Sequence, residues 1–262
     1  MKTAIHLLTW AGYAGQQKMP FDLEASLREI REAGYDGVEA GGGEPLLGTP
    51  AEFLKKVQSA GLEIAAYGAS VSYNPWPPNT AEYQADMRYA EALGVKTMMV
   101  CGGFNYFARR NQYAADYDLF GKNLGAALSF ARKFGLEIAY HPHRGCIVET
   151  GDETALLLKR IPSLKLCVDI AHLEACGDDA VKFIRRFGKK IIHTHIKDYD
   201  VKKNVFTELG KGRSNLKVDA CLRELKKAGY SGWICVELDQ TFRTPLESAR
   251  ISRRYLAKHG SP

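Results

Sequence analysis

The sequence predicts an α/β protein built as a single (β/α)8 barrel, and three observations predict it. First, one phrase recurs, in which glycine follows an amphipathic segment and precedes a short β-rich run. It appears as Ala33-Gly34-Tyr35-Asp36-Gly37, Ala60-Gly61-Leu62-Glu63-Ile64, Leu93-Gly94-Val95-Lys96-Thr97, Phe134-Gly135-Leu136-Glu137-Ile138, Phe187-Gly188-Lys189-Lys190-Ile191 and Ala228-Gly229-Tyr230-Ser231-Gly232. Glycine just past a helix end takes the left-handed conformation that closes the last turn, so each phrase marks a return from helix to strand. Second, an apolar run at the start and another after Pro162 bring the strands to eight. Third, 262 residues with 45% hydrophobic content can bury one large core, and Gly and Pro are not concentrated into a linker. A doubly wound open sheet would want a Gly-rich fingerprint after the first strand, and Thr9-Trp10-Ala11-Gly12-Tyr13 is a poor one.

In chain order the strands are expected near Ala4 to Leu8, Gly37 to Glu39, Ile64 to Tyr67, Thr97 to Cys101, Glu137 to Tyr140, Lys165 to Asp169, Lys190 to Ile196 and Trp233 to Glu237. Each is a short run of strand length. Helices are expected near Leu23 to Ala33, Pro50 to Ala60, Ala81 to Leu93, Tyr117 to Phe134, Asp152 to Arg160, Asp178 to Phe187, Val218 to Ala228 and Pro245 to His259. Several open on Asp or Pro and close on Gly, as helix ends favour.

No apolar stretch is longer than a strand, which excludes a membrane span, and the start reads as mature protein, since His6 interrupts its short apolar run. Six cysteines without C-x-x-C spacing suggest reduced, buried thiols and a cytoplasmic protein. The net charge of +6 is carried by helix-borne pairs such as Lys55-Lys56, Arg185-Arg186 and Lys226-Lys227, which read as solvated faces rather than a nucleic-acid groove. Such an excess favours an anionic substrate only weakly.

A (β/α)8 barrel places its chemistry at the C-terminal strand ends. Those ends carry His6 to Trp10, Glu39, Tyr67, Cys101-Gly102-Gly103, Tyr140-His141-Pro142-His143-Arg144 with Glu149 beyond, Val168 to His172, His193 to Asp198, and Val236 to Asp239. Five of the seven histidines fall at the exits of strands five to seven. In His193-Thr194-His195-Ile196-Lys197-Asp198, strand alternation puts His193, His195 and Lys197 on one face. Asp169, His195 and Glu237 then converge at the mouth. Oxygen and nitrogen donors without thiolate suit one divalent ion, Mn2+, Co2+, Mg2+ or Zn2+.

The runs Val168-Asp169-Ile170-Ala171-His172, His193 to Asp198, Leu209-Gly210-Lys211-Gly212 and Gly232 to Asp239 resemble those of the xylose-isomerase-like barrel superfamily of sugar isomerases and epimerases. The likeness reaches back to the Phe21 to Glu39 segment and covers almost the whole chain. It implies one divalent ion held by Glu, Asp, His and Glu from strands five to eight, with the glutamates shuttling the proton. Asp169, His195 and Glu237 match three of these positions, His172 matches a substrate-contacting histidine, and His193 supports the ligand beside it. Lys197 is expected to orient a substrate oxygen or an acidic ligand, or simply to pair with Asp198 or Glu237. At strand five the pattern departs, because the superfamily's glutamate falls at His141. Either His141 or Glu149 completes the metal shell, or three protein ligands suffice.

The histidine-rich strand-five run resembles that of the inosose dehydratases within the superfamily. The likeness implies dehydration of a keto-sugar or ketocyclitol: proton abstraction α to a carbonyl by Glu237 or His141, a metal-held enediolate, and His143 or His172 assisting the leaving oxygen. Ketose or sugar-phosphate isomerisation or epimerisation is the alternative. Candidate substrate contacts are His6, Trp10, Glu39, Tyr67, Arg144, His193 and Arg213, with Lys211 beside them. Tyr13, Tyr73, Trp76, Phe104, Tyr106 and Phe107 add loop aromatics able to stack on a cyclic polyol or to serve a subunit contact, in a homodimer or homotetramer. Two remoter readings are a non-catalytic sugar-binding barrel and an apurinic-site endonuclease. The latter needs three zinc ions, whereas strands three and four end in Tyr67-Gly68 and Cys101-Gly102 and the later loop supplies only Asp200. The expected partner is therefore a small carbohydrate or cyclitol, with no nucleic acid and no membrane.

Overall fold

A computed structural model describes residues 1–72, 79–103 and 114–259. The chain opens with β1 (Thr3–His6), α1 (Leu8–Gln16), α2 (Leu23–Glu32), β2 (Gly37–Gly41), α3 (Glu44–Leu47), α4 (Pro50–Ser59) and β3 (Glu63–Val71). It continues through α5 (Thr80–Ala92), β4 (Thr97–Gly102), α6 (Ala114–Ala131), β5 (Glu137–Tyr140), α7 (Gly151–Arg160), β6 (Lys165–Asp169), α8 (Ile170–Ala175) and α9 (Ala180–Phe187). The last elements are β7 (Ile191–Ile196), β8 (Asp198–Asp200), β9 (Val205–Thr207), α10 (Val218–Lys227), β10 (Ile234–Val236) and α11 (Pro245–His259). Strands β1 to β7 and β10 close into a barrel in the order β1-β10-β7-β6-β5-β4-β3-β2, every pair parallel. Apolar residues such as Leu27, Ile30, Phe53, Met87, Phe120, Leu124 and Leu157 turn from the helices onto the barrel wall and are fully buried there. That burial is the main source of stability for such a fold. No helix among the described residues is long and apolar enough to cross a membrane.

The glycine phrases work as expected at five of six junctions: Gly34, Gly61, Gly94, Gly135 and Gly229 have φ of 90, 71, 72, 67 and 82°. Gly188 differs. Its φ is −50°, helical, and a Cβ there would lie 2.5 Å from Ala228 Cβ, so it is glycine to let α9 approach the end of α10.

Five elements were not legible in the sequence. Helix α1 replaces the end of the expected first strand and its loop. Trp10 is therefore no loop aromatic at the mouth: it is 5% exposed, and its indole Nε1 donates to Glu29 Oε2 on α2 at 2.7 Å. Trp10→Phe is expected to cost about 1 kcal/mol, the net worth of one such bond, read as a lower thermal midpoint; an unchanged midpoint would show the bond to be idle. The others are α3, α8 and the antiparallel hairpin β8–β9. Tyr73, Trp76, Phe104, Tyr106 and Phe107 lie outside the described residues.

Candidate active site at the C-terminal mouth of the barrel

Register sets the site. Asp169 lies opposite His195, and Cys235 opposite His195 on the other side, so the exits of β6, β7 and β10 are level. Along β7, alternation turns His193, His195 and then Lys197 inward, and all three are buried. From β2, fully buried Glu39 reaches across the barrel and accepts from His193 Nε2 at 2.6 Å and from His195 Nε2 at 3.0 Å. Burial alone would raise the Glu39 carboxyl, but the two rings outweigh it and hold it well below the usual range. A carboxylate on Nε2 fixes the ring and leaves Nδ1 facing the mouth. That Nδ1 is 3.1 Å from Glu237 Oε2 but out of hydrogen-bond alignment with it. Burial opposes charge on His195, yet Glu237 and Glu39 overcome it and raise its pKa well above normal.

Asp169 ends β6 and begins α8 without an intervening loop. Its Oδ1 caps the helix, accepting from the N–H groups of Ala171 and His172 at 2.9 and 3.0 Å. Its Oδ2 faces the mouth, 3.3 Å from His141 Nε2 and 2.6 Å from Lys197 Nζ. Lys197 Nζ also lies 2.6 Å from Glu237 Oε2 and 3.2 Å from Asp239 Oδ2. Burial would strip the lysine of its proton, but Asp169, Asp239 and Glu237 outweigh that and raise its pKa well above normal. The same contact works on the carboxylates. Burial raises Asp169 and Glu237, while Lys197 with His172 for the first, and His195 with Lys197 for the second, hold both well below the usual range. Asp239 goes the other way: burial raises it, Lys197 only partly countering. On the opposite side, burial lowers His141 to about 4 against its bond to Asp169. It also lowers His143 and His172, with Lys197 adding to the effect in both.

The hairpin roofs this cluster. Phe206 on β9 sets its ring 4.5 Å from that of His172 and 4.9 Å from Lys197 Nζ. Asn204, at the turn, accepts from Arg144 Nη1 at 2.9 Å and from Tyr199 O–H at 2.6 Å, tying the hairpin to the loop after β5. Asp198 accepts from Tyr199 N–H at 2.8 Å and Gly210 N–H at 3.0 Å. The Leu209-Gly210-Lys211-Gly212 run is explained here: a Cβ on Gly212 would come within 2.1 Å of Asp198 Oδ1.

The sequence-nominated residues His6, Glu39, His141, His143, Asp169, His172, His193, His195, Lys197 and Glu237 thus meet at one end of the barrel. His6 packs edge-on against His195 at 6.0 Å and accepts from Leu8 N–H at 2.9 Å. Arg144 stands at the rim with its guanidinium on Asn204. Four others sit elsewhere. Trp10 is in the helix layer, as above. Tyr67 points out of the barrel: its ring stacks on Tyr89 at 5.3 Å and its hydroxyl accepts from Gly43 N–H at 2.9 Å, because on β3 it is Gly68 that faces His6. Arg213 is spent on Asp200, 2.7 Å away. Glu149 is buried in the loop after β5, where it accepts from Gly145 N–H, and it is not among the converging donors. Two residues were missed. Asp239 had a signal, since it shares an alternating face with Glu237; Phe206 sits in a three-residue strand too short to show one.

A nitrogen or oxygen from each of His141, Asp169, His195 and Glu237 lies within 4.8 Å of the other three. His141 Nδ1 and His195 Nδ1 are buried without hydrogen-bond partners. Two imidazoles and two carboxylates, with no thiolate, make a donor set that fits a borderline or hard divalent ion.

Residues 27–259 match the family described as "Xylose isomerase-like TIM barrel". The chain is similar to the rhizopine catabolism protein MocC of Rhizobium meliloti, at 26% identity over 98% of this chain and 88% of that protein. It is similar also to an inosose dehydratase of Geobacillus thermodenitrificans, at 27% identity over 89% of this chain and 88% of that one. Among solved structures, the IOLI protein with a bound zinc atom superposes with a TM-score of 0.78 at 20% identity, covering 100% of both chains. The chain belongs to the xylose isomerase-like TIM barrel family.

Proposed function

We propose that the protein is a divalent-metal-dependent dehydratase acting on a cyclic polyhydroxy ketone of the inosose type. One observation carries this over isomerisation or epimerisation: the distribution of carboxylates around the mouth. Inverting a carbon centre by two bases wants carboxylates on opposite faces of the substrate. Here Glu39 Oε2 is committed to His193 and His195, and Asp169 to the helix cap through Oδ1 and to Lys197 through Oδ2. Glu237 and Asp239 remain, both from the exit of β10. The β5 and β6 side offers His141, His143 and His172. A carboxylate facing imidazoles suits removal of a proton on one side and donation to a departing hydroxyl on the other. The relatives named inosose dehydratase support the same reading.

His141, Asp169, His195 and Glu237 would hold the ion, which when bound polarises the ketone and acidifies its neighbouring C–H. Glu237 engages Lys197 and His195 through Oε2, which leaves Oε1 to take the α-proton. His141 is the second candidate for that step. Lys197 steadies Asp169, Glu237 and Asp239, and His143 with His172 faces the leaving oxygen. Phe206 covers His172 and limits water at the proton donor.

Incubation of Mn2+-loaded protein with an inosose in D2O tests the proposal. Deuterium at the α-carbon together with loss of one water per substrate is expected. Exchange with a new stereocentre and no water loss would overturn dehydration in favour of epimerisation.

A further inference from the structure

One residue's main chain touches two of the mouth histidines. The Arg144 carbonyl oxygen lies 2.7 Å from His143 Nδ1, and the Arg144 N–H is directed at His172 Nδ1 at 3.4 Å. A carbonyl only accepts, so His143 Nδ1 carries a hydrogen; an amide N–H only donates, so His172 Nδ1 is bare. In a neutral imidazole the other nitrogen takes the opposite role. His143 therefore carries no hydrogen on Nε2 and His172 carries one on its Nε2, on rings whose centres are 3.8 Å apart.

Asp239 completes the group. A nitrogen of each histidine and an oxygen of Asp239 lie within 4.8 Å of one another. His172 Nε2 and Asp239 Oδ2 are buried without a hydrogen-bond partner, Lys197 Nζ lying 3.2 Å from Oδ2 but out of alignment. Buried donors and acceptors left unmade are costly, and here a ligand is what would meet them.

We propose that His143, His172 and Asp239 form a hydroxyl-reading subsite beside the four-donor group, its polarity set by the Arg144 peptide. One substrate hydroxyl accepts from His172 Nε2 and donates to His143 Nε2 or Asp239. The inference rests on the polyol reading above and adds which class of group the site demands: a free hydroxyl, neither an ether nor a phosphate ester. A second cation in this place is disfavoured, because it would need a bare Nε2 on His172 and would turn an Nδ1 hydrogen against the Arg144 N–H.

Long-range proton–nitrogen correlation spectra of protein labelled with 15N-histidine and loaded with Zn2+ test the tautomers directly, with assignments from His143→Gln and His172→Gln. The hydrogen is expected on Nδ1 of His143 and on Nε2 of His172. The same tautomer in both, or a second equivalent of Zn2+ that Asp239→Asn abolishes, would overturn the subsite.

Calorimetry of an inosose and its mono-O-methyl ethers tests the ligand class. One ether should bind about tenfold more weakly than the parent ketone, a loss of one hydrogen bond, and His143→Gln should erase that difference. Equal binding of every ether, or no binding at all, would overturn the hydroxyl assignment whether or not deuterium exchange occurs. If exchange fails while the tautomers and ether selectivity hold, the dehydration reading falls and the subsite stands.

Discussion

Lys197→Met is expected to destabilise the metal-free protein by roughly 3–5 kcal/mol, the cost of removing one partner from a buried ionic group. Its Nζ sits among three carboxylate oxygens, 2.6 Å from Asp169 and Glu237 and 3.2 Å from Asp239. The side chain is fully buried, so water cannot take its place. Methionine keeps the volume and removes the charge, leaving three acids in mutual repulsion. A divalent ion should then relieve what the lysine no longer does. Mn2+ is expected to bind the variant more tightly than wild type and to recover much of the lost thermal midpoint. Unfolding in EDTA and in excess Mn2+ checks both halves. An unchanged EDTA midpoint, or weaker Mn2+ binding in the variant, would show that Lys197 does not hold these carboxylates together.

Glu237→Gln carries the largest expected effect on turnover, a fall in kcat of about a hundred- to ten-thousand-fold, the range for loss of a positioned base. Glutamine preserves the shape and can still accept from Lys197, so KM should move little. The discriminating measurement is solvent deuterium wash-in at the α-carbon, which should vanish with kcat. Metal content of the purified variant separates loss of the base from loss of the ion. Exchange at the wild-type rate in a variant that retains metal would move the base to His141.

The barrel was legible because its punctuation is physical. A left-handed residue after each helix leaves glycine in the sequence, and five such residues sit where expected. The mouth was legible because alternation on β7 forces His193, His195 and Lys197 onto one side. Elements that leave no period were lost. Helix α8 starts at Ile170, directly after β6, and its six residues are too few to show a helical period, while β8 and β9 have three residues each. Tyr67 shows the limit of reading a strand's last residue as its functional one. Facing in or out depends on register, and β3 has a register shift against β2 between Val38 and Glu39. Glu39 at a strand end reads as a substrate contact, whereas the fold places it beneath two histidines as their common acceptor.

Asp169 has a consequence for redesign. One of its oxygens faces His141 and Lys197 at the mouth and the other holds the first turn of the helix that bears His172. Changing the strand-six carboxylate to retune metal preference would also shift that histidine, so the two traits are inherited together. The strand-five side is free of this bond: His141 and His143 start no helix, and no cap is lost when they change. Diversification of chemistry on this scaffold is accordingly easiest at strand five, where this chain carries His141 and His143.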